Sequence, residues 1–290
     1  MNYNSPLFRP PSEAYSFIIQ ATLGCPENTC QFCGMYKTKT FEIKPLDDIE
    51  KELKTFLSDS DKASIKRIFL ADGDCLYAGH EYLLTLLKMI NENFPNLQRI
   101  TSYATANGVL KYNLKQLKEL KENKLKMFYM GLESGNNELL KFVNKGNDAN
   151  QFIEAGRLLK EAQIKNSVTA ILGLGGKEFT KRHARDTADV INNVCPEYFS
   201  LLTLIIGGNE KYIKKIDLLS RREIFQELFS IIKELDIKTI FRSNHVSNIV
   251  PVNGTLPKDK DKMLHTLELV LLDDDPWLDR VPQHEGEMHY

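Results

Sequence analysis

Short apolar, β-branched runs alternate with amphipathic stretches from Ala14 almost to the end of the chain, which is the pattern of repeated β-α units. The runs predict strands at 15–22, 66–71, 98–104, 127–133, 167–174, 198–206 and 238–243. Between them, Leu46, Ile49, Leu53 and Phe56, and later Ile224, Leu228, Ile231 and Leu235, recur at spacings of three and four. Each set builds one apolar stripe on a helix, of the kind that covers a parallel sheet. Seven strands joined by helical crossovers fit either a doubly wound open sheet or a partly closed barrel. Both architectures bind ligands beyond the carboxyl ends of the strands, so the residues just after each strand carry the interest.

No long repeat, low-complexity stretch or internal linker interrupts this alternation. The expectation is a single domain over 1–290, with its core at about 14–245 and a C-terminal helix and tail at about 246–290. The acidic, proline-containing ends, 1–13 and 273–290, predict looser order.

With 290 residues and 42% hydrophobic content the chain can bury a sizeable core. Its 38 Lys and Arg balance 39 Asp and Glu, so it lacks the basic field that gathers nucleic-acid phosphates. A large RNA or DNA substrate is therefore not indicated. No positive segment leads into an apolar one at the start, and no run approaches the apolar length that spans a bilayer, so a cytoplasmic protein is expected. Five cysteines, three of them within nine residues, suggest reduced thiols available to metal rather than a disulfide framework.

Those three follow the first strand in Leu23-Gly24-Cys25-Pro26-Glu27-Asn28-Thr29-Cys30-Gln31-Phe32-Cys33-Gly34-Met35-Tyr36, a Cys-x4-Cys-x2-Cys run in a glycine-bounded loop. On a cubic iron-sulfur cluster, three cysteines leave one iron open to a small molecule. A structural zinc is the competing reading, with Cys75, Cys195 or a histidine as fourth ligand. Three unrelated buried thiols are poorly suited to such a loop.

The run resembles the cysteine triad of the radical S-adenosylmethionine superfamily, which follows the first barrel strand and places an aromatic residue, here Phe32, before its last cysteine. The superfamily's commonest triad has three residues between its first two cysteines; this chain has four. The resemblance runs from about Ile18 to about Lys262. It implies an α/β fold, a partial (β/α)6-type TIM-like barrel of parallel strands with helices outside. It also implies a [4Fe-4S] cluster on Cys25, Cys30 and Cys33, S-adenosylmethionine on the open iron, and an electron donor such as flavodoxin or ferredoxin.

On the same resemblance, Gly73 and Asp74 in Ala71-Asp72-Gly73-Asp74 stand where the methionine portion binds. Ser102 and Thr105 offer hydroxyls, Glu133 contacts the ligand's polar portion, and Arg157 is placed to meet the methionine carboxylate. Leu172, in Ile171-Leu172-Gly173-Leu174-Gly175-Gly176, lies along adenine. Read alone, that glycine run suggests a phosphate loop, yet it lacks the Gly-Lys-Ser/Thr ending and the Gly-x-Gly-x-x-Gly spacing. Asp74 and Glu133 are, read alone, a turn residue and a helix cap.

Facing the substrate, Arg242 can pair with an acid, His245 and His183 can move a proton, and Cys75 can donate a hydrogen atom. The plain alternatives are loop capping by Asn and Ser, a solvated helix charge at Arg157, and small buried hydrophobes at Cys75 and Cys195. His284 and His289 read as a solvated terminus. The expected function is reductive cleavage of S-adenosylmethionine to a 5′-deoxyadenosyl radical that abstracts hydrogen from a small or peptide-derived substrate. The alternatives are a metal- or cluster-binding redox sensor without turnover and a barrel enzyme whose cysteines are incidental.

Overall fold

The predicted apolar runs all form strands in the computed structural model, which describes residues 1–206 and 210–282. In chain order the elements are β1 (Phe17–Gln20), β2 (Thr22–Leu23), β3 (Glu42–Ile43), α1 (Leu46–Phe56), α2 (Asp59–Ser64), β4 (Arg67–Ala71), α3 (His80–Asn93), β5 (Arg99–Ala104), α4 (Ala106–Leu110) and α5 (Leu114–Glu122). They continue with β6 (Leu125–Glu133), α6 (Asn137–Phe142), α7 (Ala149–Glu161), β7 (Lys165–Leu172), α8 (Gly176–Val194), β8 (Tyr198–Thr203), α9 (Glu210–Ile213), α10 (Arg221–Glu234), β9 (Thr239–Ser243), β10 (Val252–Leu256) and α11 (Lys260–Leu271). The strand order is β1-β4-β5-β6-β7-β8-β9-β10, an open and mostly parallel sheet with β10 antiparallel to β9. This is the open α/β sheet of a partial barrel.

The chain divides into two compact units, Met1–Asn28 with Met35–Met130 and Glu154–Asn166, and Thr29–Gly34 with Gly131–Ile153 and Ser167–Tyr290. In the first, β1, β4, β5 and β6 pair in parallel, and Phe69 packs edge-on against Tyr103 at 5.2 Å. α1 buries Ile49 and Leu53 but leaves Phe56 exposed at the helix end, so its apolar stripe is shorter than the spacing predicts. The segment 1–13, expected to be loose, is held down instead. The buried Glu13 carboxylate accepts from Tyr129 Oη (2.6 Å), from Arg99 (3.0 Å) and from the Ser16 hydroxyl, while Tyr3 donates to the Ile18 carbonyl (3.0 Å). A buried carboxylate with three donors fixes the backbone that carries it.

In the second unit α10 starts on a capping box between Ser220 and Glu223, and buries Ile224, Leu228 and Ile231 as predicted. The stretch after α11 is also more ordered than its composition suggests. Arg222 binds the Asp279 carboxylate (2.7 Å) and the carbonyls of Leu271 and Asp273, Arg221 lies over the Trp277 ring, and Leu278 is buried.

Candidate active site

In the first unit the residues after β4 organise one end of the cysteine loop. The Asp72 carboxylate, wholly buried, accepts from Gly24 N (3.0 Å), Lys39 Nζ (2.7 Å) and Gln20 Nε2 (3.2 Å). Gly24 precedes Cys25 and Lys39 lies beyond Cys33, so one carboxylate ties both ends of the loop together. Gly73 N donates to the Gly24 carbonyl (3.0 Å). A Cβ on Gly73 would stand 2.8 Å from both Cys25 Cα and the Gly24 oxygen, so the close approach this glycine permits is that of the cysteine loop itself. Gly73→Ala is expected to displace Cys25, costing about 1–3 kcal/mol of stability as overpacking does and lowering the iron retained after reconstitution. Wild-type iron content in that variant would contradict the packing described.

Asp74 accepts from the protein's own donors. Its carboxylate accepts from Leu76 N (2.9 Å), Thr105 N (2.8 Å) and Thr105 Oγ1 (2.8 Å), and α4 approaches so closely that a Cβ on Gly108 would meet Asp74 Oδ2 at 2.2 Å. Burial pushes its pKa up to about 7 despite these bonds. Thr105 is the N-cap of α4, and Ser102 donates to the Leu70 carbonyl (2.9 Å). Cys75 is buried beside them, its thiol pushed up to about 12 by burial and then by the Asp74 charge, so it is a neutral thiol packed as a small hydrophobe. Glu27, the only acid between Gly24 and Tyr36, is engaged by Tyr77 Oη (2.8 Å) and Asn107 Nδ2 (2.7 Å). Arg157 is exposed on α7.

Cys30 and Cys33 belong to the second unit. Cys30 and Phe32 are buried in an apolar cluster with Leu139, Val143, Phe179 and Tyr212, and Cys33 packs against it. Gln31 secures the segment: its N donates to the Val143 carbonyl (2.9 Å), its Nε2 to the Phe142 carbonyl (3.0 Å), and Lys215 donates to its Oε1 (2.6 Å). At the end of β6, Glu133 has φ 65° and folds back over Gly131 to meet Lys145 Nζ at 3.2 Å. Leu172 is buried at the end of β7, and Gly176 is required beyond it, since a Cβ there would lie 2.4 Å from the Asp217 carbonyl.

The polar stretch after β9 is mainly a self-bonded loop. Ser247 N donates to His245 Nδ1 (3.1 Å), and Asn248 donates to the Leu201 carbonyl (3.0 Å) and Ser243 Oγ (2.6 Å). Burial holds the His245 pKa below the ordinary histidine value. Arg242 lies over the Tyr198 ring, 5.0 Å from its centroid. His183 lies fully buried in the packed face of α8, where burial lowers its pKa to about 4. Cys195 ends α8 in a left-handed conformation, and its thiol donates to the Asn192 carbonyl. His284 and His289 lie outside the described residues.

Glu227, on the buried side of α10, has its pKa raised to about 7 by burial. The neutral carboxyl therefore favours the fold below about pH 4.5, and that contribution disappears as pH rises through about 7. In urea unfolding between about pH 5 and about pH 8, Glu227→Gln is expected to show a flatter decline in stability than wild type. Parallel profiles would contradict the burial effect.

The loop's three thiols are soft ligands of the kind an iron-sulfur cluster takes, and its one carboxylate, Glu27, is bonded to Tyr77 and Asn107. Among the described residues, no three His, Cys, Asp or Glu side chains stand ready-assembled around a metal position, and no disulfide forms.

An open, mostly parallel α/β sheet whose first strand leads into an all-thiolate loop defines the class. The chain belongs to the radical SAM superfamily, whose profile matches residues 19–191. Enzymes of this superfamily use a [4Fe-4S] cluster and S-adenosylmethionine. It is 21% identical to the heme chaperone HemW of Bacillus subtilis strain 168 over 185 residues, covering 62% of this chain and 48% of that one. It is 26% identical to the putative methylthiotransferase MJ0865 of Methanocaldococcus jannaschii over 159 residues, covering 51% and 33%. The chain thus spans about half or less of the length of these curated relatives. Among solved structures it shares its fold with coproporphyrinogen III oxidase (HemN) from Escherichia coli, with a TM-score of 0.59 at 19% identity, covering 76% of this chain and 52% of that one. Among the described residues no helix is long and apolar enough to cross a membrane.

Sequence reasoning overlooked Asp72, Lys39, Tyr77, Asn107, Ser134 and Glu227. Asp72 was within reach, being an acid directly after a strand and beside the glycine already singled out.

Proposed function

We propose that Cys25, Cys30 and Cys33 hold a [4Fe-4S] cluster whose fourth iron binds S-adenosylmethionine, in a cytoplasmic enzyme that takes hydrogen from a small or peptide-derived substrate. With one electron from a donor such as flavodoxin or ferredoxin, the bound cluster would split S-adenosylmethionine to give the 5′-deoxyadenosyl radical. The protein's part is to place and shield. Asp72 fixes the ends of the cysteine loop, and Phe32 seats its last turn in the apolar cluster. Asp74, through Thr105 and Ser102's strand, sets the shape of the surrounding backbone rather than touching the ligand. Glu133 and the backbone at Leu172 and Gly173 stand at strand ends suited to the polar and adenine portions of the ligand. Arg242, held by the Tyr198 ring and without a carboxylate partner among the described residues, is the cation best suited to an acidic group on the substrate.

The observation that carries this reading is the all-thiolate loop locked at its ends by a buried carboxylate in a chain of this superfamily. Anaerobic incubation of the reconstituted enzyme with S-adenosylmethionine and dithionite is expected to yield 5′-deoxyadenosine, read by chromatography. Absence of that product from a cluster-replete preparation would overturn the reading.

A further inference from the structure

Two ionisable side chains that the proposed reaction leaves unused, His183 and Glu227, are buried in the second unit and stitch together the ends of its strands. His183 Nδ1 lies 2.8 Å from Ser134 Oγ, and that same oxygen accepts from Asn136 N at 3.0 Å. His183 Nδ1 also lies 3.3 Å from Thr187 Oγ1, while Nε2 is buried without a hydrogen-bond partner among the described residues. Thr187 completes this corner by accepting from Gly135 N at 2.9 Å. From α10, Glu227 Oε1 accepts from Gly173 N at 2.7 Å, and Oε2 accepts from the Thr180 hydroxyl. The two residues meet, with Glu227 Oε1 3.7 Å from His183 Nε2.

We propose that His183 and Glu227 are positioning residues for S-adenosylmethionine, setting the separation between Glu133 at the end of β6 and the Leu172–Gly173 backbone at the end of β7. The proposal rests on the reading that these two strand ends hold the ligand. Ser134 is the neighbour of Glu133 and Gly173 the neighbour of Leu172, so each buried group grips one residue away from a contact point. Burying an ionisable group is unfavourable unless its polar atoms are bonded, and here both Glu227 oxygens and His183 Nδ1 find their partners at these strand ends and on α8. An apolar pair would fill the same volume without fixing either backbone.

Either protonation state of Glu227 serves. As the acid it still accepts from Gly173 N through Oε1 while Oε2–H donates to Thr180 Oγ1. Glutamine reproduces both bonds, whereas leucine reproduces neither, so amide and hydrocarbon variants separate a hydrogen-bonding role from a charge or packing role.

The test uses full-length protein reconstituted anaerobically, with S-adenosylmethionine affinity read by equilibrium dialysis and the cluster read by iron content and the spectrum of the reduced protein without ligand. Glu227→Leu and His183→Leu are expected to bind about ten-fold more weakly, with iron content and spectrum unchanged and with the rate at saturating ligand reduced less than the affinity. Glu227→Gln is expected to restore wild-type affinity. Wild-type affinity in iron-replete Glu227→Leu and His183→Leu, or Glu227→Gln binding as weakly as the leucine variant, would overturn the proposal. Should the leucine variants not fold, Thr180→Val deletes one hydrogen bond and Ser134→Ala two from the same ends, and both are expected to weaken binding about three-fold. Wild-type affinity in both would equally overturn it. Wild-type protein that holds its cluster yet takes up no S-adenosylmethionine defeats the underlying reading itself, a result separable from variants that bind as wild type does.

Discussion

Asp72→Ala is expected to be among the most damaging single substitutions in the chain, destabilising it by about 3–5 kcal/mol, the cost of removing one partner from a buried ion pair. The Lys39 ammonium, whose side chain is 4% exposed, would lose its carboxylate, and Gly24 N would lose its acceptor. Lys39 would keep the Asn4 carbonyl, 2.7 Å away, and the face of the Tyr36 ring, 5.7 Å from its centroid, neither of which neutralises its charge. Since Gly24 leads directly into Cys25, iron retention should fall with stability. Asp72→Asn keeps the shape and loses the charge, so it is expected to fall between, and Lys39→Met should recover part of the stability when added to Asp72→Asn. Chemical denaturation of wild type, Asp72→Ala, Asp72→Asn, Lys39→Met and the double variant measures this. An additive double variant would show that the pair does not act as a unit.

The second large effect concerns the thiols. Replacing Cys25, Cys30 or Cys33 individually by alanine is expected to abolish 5′-deoxyadenosine formation, because two thiolates do not retain the cluster. Stability should respond quite differently. Cys30 sits in the apolar cluster with Leu139 and Phe179, where alanine removes only one sulfur atom, so the apoprotein should lose about 1 kcal/mol or less. A variant that unfolds outright would assign the loop a folding role; one that keeps both cluster and cleavage would remove that cysteine from the ligand set.

How far the sequence discloses this fold depends on the scale of the feature. The seven long apolar runs and the stripes of α1 and α10 were legible to within about three residues, because period and length agree. β10 was not: Asn253-Gly254-Thr255 between Pro251 and Pro257 carries no apolar alternation, and the strand exists through its antiparallel pairing with β9. The β2–β3 pair, two residues each, is too short for any periodicity and follows from closure of the cysteine loop.

The candidate site was legible in its thiols and less so in its supports. Cysteine spacing is a local signal, whereas Asp72 acts through Gly24 and Lys39, residues far away in sequence that only the fold brings to it. For the same reason the bonds of Asp74 to Leu76 N and Thr105, and of Ser102 to the Leu70 carbonyl, could not be read from the sequence. His183 did leave a trace, standing four residues after Phe179 and four before Thr187 on the buried stripe of α8, which marks an interior histidine rather than one at a mouth. Glu227 interrupts the stripe of α10 between Ile224 and Leu228 in the same way.

In the proposed function, three thiolates leave one iron of the cluster open to S-adenosylmethionine. Electron paramagnetic resonance of the anaerobically reconstituted, dithionite-reduced protein, recorded with and without S-adenosylmethionine alongside iron and sulfide analysis, reads that open position directly. About four irons per chain and a spectrum that changes when the ligand is added are expected. Zinc in place of iron, or a reduced cluster whose spectrum is indifferent to S-adenosylmethionine, would contradict that function.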